Sequence, residues 1–193
     1  MKYFLWFCCL GLWSHAVSAQ KLPPFTAWEH NNSPDCVNTV LTKDSIVLPV
    51  KNKCETEGKK ENWRPLAGVS EGLAFAVKKG AKIQLSITYK FQPVGGDILG
   101  FYGSYDIESN DDNNGVSKYL QLPDGSKSLP PSTGFITQTI LINFDDDSTK
   151  PVWTSPNNYH GTMNFHFNVS TNGGPTHIGS RAVIKAVKLE TLP

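Results

Sequence analysis

The chain has 193 residues, 39% of them hydrophobic, with 18 basic and 17 acidic side chains and a formal net charge of +1. This near-neutral balance argues against a nucleic-acid ligand and against polybasic attachment to a membrane, because both require a positive field. The length corresponds to one domain that can bury its own core without relying on cross-links.

The first nineteen residues have the layout of a cleavable secretory signal. Lys2 gives a short basic start, residues 4–13 are almost all apolar, and Val17, Ser18 and Ala19 are small. The apolar run is too short for a membrane span of roughly 20 residues. We therefore expect a signal peptide at 1–19, a single domain at 20–193, no membrane span, and a secreted, periplasmic or extracellular destination.

Two cysteines, Cys36 and Cys54, remain after removal of the expected signal, which contains Cys8 and Cys9. In an exported protein, an isolated pair of cysteines predicts one disulfide bond. In the chain-entropy model, closing a loop of this size stabilises the fold by roughly 3 kcal/mol. A reactive or metal-binding pair is the alternative, but the spacing of the two residues is typical of neither.

The remaining chain predicts β-strands and turns rather than helices. Short segments of alternating apolar and polar residues are separated by clusters of Gly, Pro, Asn and Asp, and no long window repeats at helical spacing. This pattern is typical of a β-sandwich or barrel. The clearest predicted strands lie at 45–50, 73–77, 83–91, 98–105, 135–144, 162–169 and 182–189.

One turn segment resembles the first half of a calcium loop. Asn110, Asp112 and Asn114 place oxygen-bearing side chains at alternate positions before Gly115. Gln121 stands where a bidentate glutamate belongs, so the match is partial, and an ordinary hairpin tip has the same composition. A structural calcium ion is one interpretation of this segment, and the sequence indicates no other cofactor.

The densest set of side chains suited to sugars lies at 153–160. Sugar rings present flat apolar faces to aromatic side chains, and their hydroxyls pair with groups that donate and accept hydrogen bonds. Trp153, Asn158, Tyr159 and His160 offer both. We expect them to contact a ligand from a loop, with His160 in that loop. The alternative is a buried Trp153 that caps one end of the sandwich.

A second polar patch is expected on the strand at 162–169. Asn164 and His166 alternate with Phe165 and Phe167, so they lie on the face opposite the core. Their amide and imidazole groups suit a neutral polyhydroxylated ligand. A solvated sheet face of no function has the same pattern.

From Gly68 to Pro193 the layout resembles the jelly-roll carbohydrate-binding modules with a galactose-binding-like fold. The resemblance lies in Gly72-Leu73-Ala74-Phe75-Ala76-Val77, in the strand at 81–91, and in the closing strand at 182–189. It implies an antiparallel β-sandwich of jelly-roll type. The closing strand departs from the family, because Lys185-Ala186 stands where an aspartate pair often precedes the Val-x-Leu ending.

These observations predict a secreted, non-catalytic domain that binds a glycan or polysaccharide on a surface. Gly68-Val69-Ser70-Glu71-Gly72 has the Gly-x-Ser-x-Gly spacing, but no predicted helix follows it, as a nucleophile elbow requires. No His-Glu-x-x-His motif occurs, and the sequence pairs no two carboxylates for glycoside hydrolysis. No catalytic residue is therefore assigned. Two alternatives stay open: an exported enzyme that acts on polysaccharides, and a secreted effector or adhesin that binds a protein partner.

Overall fold

The computed structural model describes residues 18–20, 22–30, 32–33, 37–50, 65–77, 80–109, 115–143, 159–171 and 176–192. They form one short 3-10 helix, Phe25–Ala27, and fourteen β-strands. The strands are β1 (Ser18–Gln20), β2 (Glu29–His30), β3 (Asn32–Ser33), β4 (Val37–Asn38), β5 (Val40–Leu41), β6 (Ile46–Pro49), β7 (Leu66–Ala76), β8 (Lys82–Gln92), β9 (Ile98–Ser109), β10 (Gly115–Tyr119), β11 (Ser128–Leu129), β12 (Ile136–Asn143), β13 (Tyr159–Ser170) and β14 (Arg181–Leu192).

Two six-stranded antiparallel sheets make up the sandwich. Sheet A has the order β12-β8-β14-β6-β5, with β1 also paired to β14. Sheet B has the order β10-β9-β13-β7-β2, with β11 also paired to β9. The chain passes from one sheet to the other between β6, β7, β8 and β9, and again between β12, β13 and β14. The predicted antiparallel all-β sandwich of jelly-roll type is therefore confirmed.

Alternation of buried and more exposed side chains, which is strictest along β8, builds the core between the sheets. On β8 every second side chain is buried, and the intervening positions are partly exposed. Sheet B contributes Phe165 and Phe167, and the ring of Trp28 stacks on Phe167 and meets Phe165 edge-on. Trp28 is 3% exposed. Burying an aromatic or branched side chain stabilises the fold by roughly 2 kcal/mol, so this alternation determines which face of each strand remains for function.

Hydrogen bonds to a buried carboxylate, that of Asp97, connect two loops at one end of the sandwich. Asp97 accepts a hydrogen bond from the backbone N–H of His177 at 2.9 Å, and its other oxygen lies 2.8 Å from His177 Nδ1. The Asp97 side chain is fully buried, whereas the His177 ring is about half exposed. Nearby, the Val94 N–H donates to Ser180 Oγ at 2.7 Å. These bonds join the turn after β8 to the segment before β14.

Several predictions about processing fall on residues outside the described part of the chain. Residues 1–17, Cys36 and Cys54 are among them. Strand β1 pairs with the end of β14 and spans the expected cleavage point after Ala19. Within the described residues, no helix is long and apolar enough to cross a membrane.

Candidate binding site on the outer face of sheet B

The outer face of sheet B is the side of β9 and β13 that points away from the core. The antiparallel register places His166 opposite Tyr102 and Asn164 opposite Ser104. Farther along the same two strands, Thr162 lies opposite Asp106, and His160 lies opposite Glu108. Paired polar side chains therefore run along the centre of this face.

Tyr102 and His166 form a stacked pair at the centre of the outer face of sheet B. Their ring centroids lie 5.3 Å apart, with an angle of 20° between the ring planes. Burial lowers the pKa of His166 below its ordinary value, since the charged imidazolium loses solvation there. At neutral pH the ring is therefore neutral, and one nitrogen can donate a hydrogen bond while the other accepts one.

Gly100 has no side chain, and this leaves room for the stacked rings of Tyr102 and His166. A Cβ atom at Gly100 would lie 2.6 Å from Asn168 Oδ1 and 2.6 Å from Tyr102 Cε2. Because Gly100 has no side chain, the side chains of Asn168 and Tyr102 can pack directly over its backbone. Asn168 is 7% exposed, and its Oδ1 atom is buried without a hydrogen-bond partner among the described residues. Packing around Gly100 holds Tyr102 against His166.

Two hollows adjoin the stacked pair and share Asn164 and His166 in their lining. The first, of about 280 Å³, lies between His166 and Glu29 on β2, with Gly68 in its floor. Gly68 fits tightly against β13, because an added Cβ would lie 2.4 Å from His166 Cβ. Glu29 and His166 thus lie on either side of β7, and between them β7 has Gly68, which carries no side chain.

The second hollow, of about 210 Å³, lies on the other side of the stack. Tyr102, Ser104, Tyr119 and Lys127 are in its lining. Ser104 Oγ donates to Asn164 Oδ1 at 3.2 Å, which orients the Asn164 amide. Tyr119 is 76% exposed at the edge of the sheet, and Lys127 Nζ lies 5.6 Å from its ring centroid. An exposed, flat aromatic ring therefore borders the hollow.

The structure brings together only some of the residues predicted from sequence. Asn164 and His166 lie side by side on the predicted face. The prediction that His160 lies in a loop is wrong, because β13 begins at Tyr159 and His160 lies within the strand. His160 Nε2 lies 3.1 Å from Glu108 Oε2. Six residues of strand, roughly 20 Å, separate His160 from His166.

Tyr159 lies on the opposite side of β13 from His160 and packs against the core. It is therefore not next to the stacked pair. Trp153 and Asn158 lie outside the described residues, as do Asn110, Asp112 and Asn114 of the possible calcium loop. In the part of the chain that is described, no three His, Cys, Asp or Glu side chains are grouped closely enough to hold a metal ion.

Sequence reasoning missed several contributors to this site: Glu29, Gly68, Ser104, Tyr119 and Lys127. Strands β2 and β10 have two and five residues, and their residue types, Glu-His and Gly-Val-Ser-Lys-Tyr, show no strict alternation of apolar and polar side chains. The nearest available signal was the tyrosine at 102, which stands out as an aromatic residue between two glycines. The other residues of the site lie near Tyr102 because of the cross-strand register, which cannot be read from the sequence.

Comparisons with known proteins give structural likenesses alone. No family model matches the chain, and no curated protein matches it. Solved structures that are similar include the CBM22-2 xylan-binding domain of Paenibacillus barcinonensis Xyn10C. It is 12% identical with a TM-score of 0.38, and the match covers 86% of this chain and 91% of that one.

The chain is similar in fold to carbohydrate-binding modules. A second likeness is the CBM1 module of BiXyn10A, with 6% identity, a TM-score of 0.36, and coverage of 86% of this chain and 94% of the other. A third is a sugar-binding protein of Bacteroides thetaiotaomicron, with 11% identity, a TM-score of 0.34 and 86% coverage of both chains. The resemblance predicted from sequence is thus found again. All three TM-scores are below 0.5, so the fold is assigned from the strand order itself.

Proposed function

We propose that this protein is an exported, non-catalytic domain that binds a glycan across the outer face of sheet B. The observation that supports this most strongly is the Tyr102–His166 stack, with a polar hollow on each side and the exposed ring of Tyr119 beyond one of them. Flat rings next to amide, hydroxyl and carboxylate groups match the two kinds of surface that a sugar presents.

The chemistry of the site favours an uncharged ligand. A neutral His166, the Asn164 amide and the Ser104 hydroxyl each exchange hydrogen bonds with sugar hydroxyls without requiring a charged partner. Glu29 accepts hydrogen bonds from hydroxyl groups, and a charged acceptor strengthens such bonds. In the first hollow the carboxylate of Glu29 would repel an anionic ligand, whereas the second hollow carries the cation Lys127.

The site runs across the strands rather than along them. Glu29, Gly68, His166, Tyr102 and Tyr119 come from β2, β7, β13, β9 and β10, which are adjacent in sheet B. Four steps between strands correspond to roughly 19 Å. A linear oligosaccharide therefore fits this row better than a single sugar does. Because the hollows are small compared with the several hundred Å³ of enclosed small-molecule pockets, we expect modest affinity per site.

A glycan-array screen of the mature chain, residues 20–193, tests this function. We expect reproducible binding to neutral oligosaccharides, and we expect the signal to disappear in the Tyr102→Ala variant when its circular dichroism spectrum and melting temperature show that it is folded. Folded parent protein that binds no glycan would contradict the proposal. Running the array with calcium and with EDTA also tests for the structural calcium ion at 110–114.

Export and the disulfide are further parts of the proposal. Cleavage after Ala19 would leave Gln20 as the first residue, and N-terminal sequencing of secreted protein reads this directly. A Cys36–Cys54 bond predicts that the denatured mature chain contains no free thiol before reduction and two after it. A thiol titration under denaturing conditions distinguishes the two states.

A further inference from the structure

Positive charge is concentrated on the opposite side of the sandwich, on the outward-facing side of sheet A. Strand β14 contributes Arg181, Lys185 and Lys188, and strand β8 contributes Lys90. The register pairs Arg181 with Gln92, Val183 with Lys90 and Lys188 with Ser86, so the four cations are spread along roughly 20 Å of two adjacent strands. We call Lys90, Arg181, Lys185 and Lys188 the basic face.

The cations of the basic face are not neutralised within the described part of the chain. None of the four forms an ion pair with another described residue. Glu190 lies on the same side of sheet A but beyond Lys188, opposite Gln84. Uncompensated like charges on adjacent strands repel one another, so an anionic partner would relieve a cost that the isolated fold carries.

The two sheets therefore differ in charge. The outer face of sheet B carries the carboxylates Glu29, Asp106 and Glu108 together with the cation Lys127, whereas the basic face lies on the other side of the sandwich. The net charge of +1 conceals this separation, because it sums all 18 basic and 17 acidic side chains regardless of where they lie. A positive field thus exists locally although the composition gave no sign of it.

Uncharged hydrogen-bonding groups lie beside the cations. Thr88 and Thr137 bond to each other at 2.9 Å across β8 and β12, and Ser86 lies opposite Lys188. Lys185 Nζ lies 5.1 Å from the ring centroid of Phe135, so this cation lies over an aromatic ring at the edge of the face. Hydroxyl groups between cations suit a ligand that carries both hydroxyls and negative charges.

We propose that the basic face binds an anionic polysaccharide, such as a polyuronate, at a second surface separate from the outer face of sheet B. Nucleic acids are favoured by several exposed aromatic rings or by elements that enter a groove, whereas the described residues of this sheet face offer one such ring, Phe135, at its edge. Membrane surfaces are favoured by a continuous set of apolar side chains that insert between lipids, whereas the exposed Phe135 and Leu141 lie six residues apart at the β12 edge of this face.

Affinity electrophoresis in two matched polymers tests the proposal. Polygalacturonate and its fully methyl-esterified form share a backbone and differ in charge. We expect polygalacturonate alone to retard the protein at low salt, and we expect the retardation to fade as salt rises. Lys90→Gln/Lys188→Gln should weaken binding about fivefold, because each exposed charge pair contributes only modestly. The control Lys43→Gln/Lys118→Gln removes the same charge elsewhere and should bind like the parent.

Several results would overturn the proposal. Equal retardation by both polymers, or equal weakening by the two double variants, would mean that the basic face recognises no charge. Loss of polygalacturonate binding in Tyr119→Ala would place the ligand on sheet B instead. Tighter binding to single-stranded DNA or to phosphatidylserine vesicles at the same salt, lost in Lys90→Gln/Lys188→Gln, would assign the basic face to that partner.

Discussion

The ring of Tyr102 lies flat against the imidazole of His166, with centroids 5.3 Å apart and an angle of 20° between the planes. The two residues come from adjacent strands, β9 and β13, and are 64 positions apart in the chain. Their contact joins an aromatic surface to a hydrogen-bonding group at the centre of one face of the sandwich. Both properties suit a sugar, whose ring has flat apolar faces and whose hydroxyl groups donate and accept hydrogen bonds.

Replacing Tyr119 with alanine should weaken glycan binding without destabilising the fold. Tyr119 is largely exposed, so its removal creates no cavity. Loss of an aromatic contact at a binding surface commonly weakens affinity about tenfold. Isothermal titration calorimetry measures the affinity, and differential scanning calorimetry measures the melting temperature. Leu141→Ala is the matched control, since Leu141 is exposed on sheet A. Equal effects of the two substitutions would remove Tyr119 from the site.

A methyl group added at Gly100 should disrupt the stack. Alanine at this position would meet Asn168 and Tyr102 at 2.6 Å, so Tyr102 must move away from His166. We expect Gly100→Ala to lose glycan binding and to cost about 1–3 kcal/mol in the free energy of unfolding. Gly134→Ala is the control, because a Cβ there has no atom within 4 Å. Denaturant unfolding and a binding assay report the two effects. Parent-like binding by Gly100→Ala would show that the stack is not needed.

The burial of His166 should make stability depend on pH. Its folded-state pKa is lowered from the unfolded value of about 6.5. The neutral ring therefore contributes stability in full above that value, and the contribution is lost as pH falls through the lowered folded pKa. We expect the melting temperature of the parent to fall more steeply than that of His166→Gln between about pH 7 and pH 5. Parallel curves for the two proteins would refute this assignment.

Removing the Asp97 carboxylate should destabilise the end of the sandwich. Asp97 is fully buried and accepts two hydrogen bonds from His177. We expect Asp97→Ala to cost about 2 kcal/mol, which lowers the melting temperature of a chain of this length by about 6 °C. The exposed turn residue Asp44 supplies the control, and Asp44→Ala should leave the melting temperature unchanged. An unchanged melting temperature in Asp97→Ala would mean that these bonds contribute nothing to the fold.

The fold could be predicted from the sequence because it depends on local alternation. Strands β8 and β13 have buried side chains at every second position, and this period is visible in the sequence. The same alternation placed Asn164 and His166 on the face opposite the core. The alternation along β13 alone was therefore sufficient to predict that Asn164 and His166 lie on the outer face.

The rest of the site depends on which strands are neighbours and in what register. Glu29 and His166 line the same hollow only because β2 pairs with β7. Tyr119 and Asn164 line the other hollow only because β10 pairs with β9. The prediction that His160 lies in a loop was wrong for a related reason, because pairing with β7 and β9 extends β13 back to Tyr159. These contacts join segments far apart in the chain, and nothing in the sequence states their register.

Nuclear magnetic resonance of the histidine side chains tests the central claim most directly. The folded chain would be titrated with neutral gluco-, xylo- and manno-configured hexasaccharides, and the imidazole signals of His166 and His177 would be followed. We expect a saturable shift at His166 with at least one of these ligands, while His177, near the buried Asp97, stays unchanged. A saturable shift at His177 alone, or no shift at His166 with any of the three, would contradict a glycan site on the outer face of sheet B.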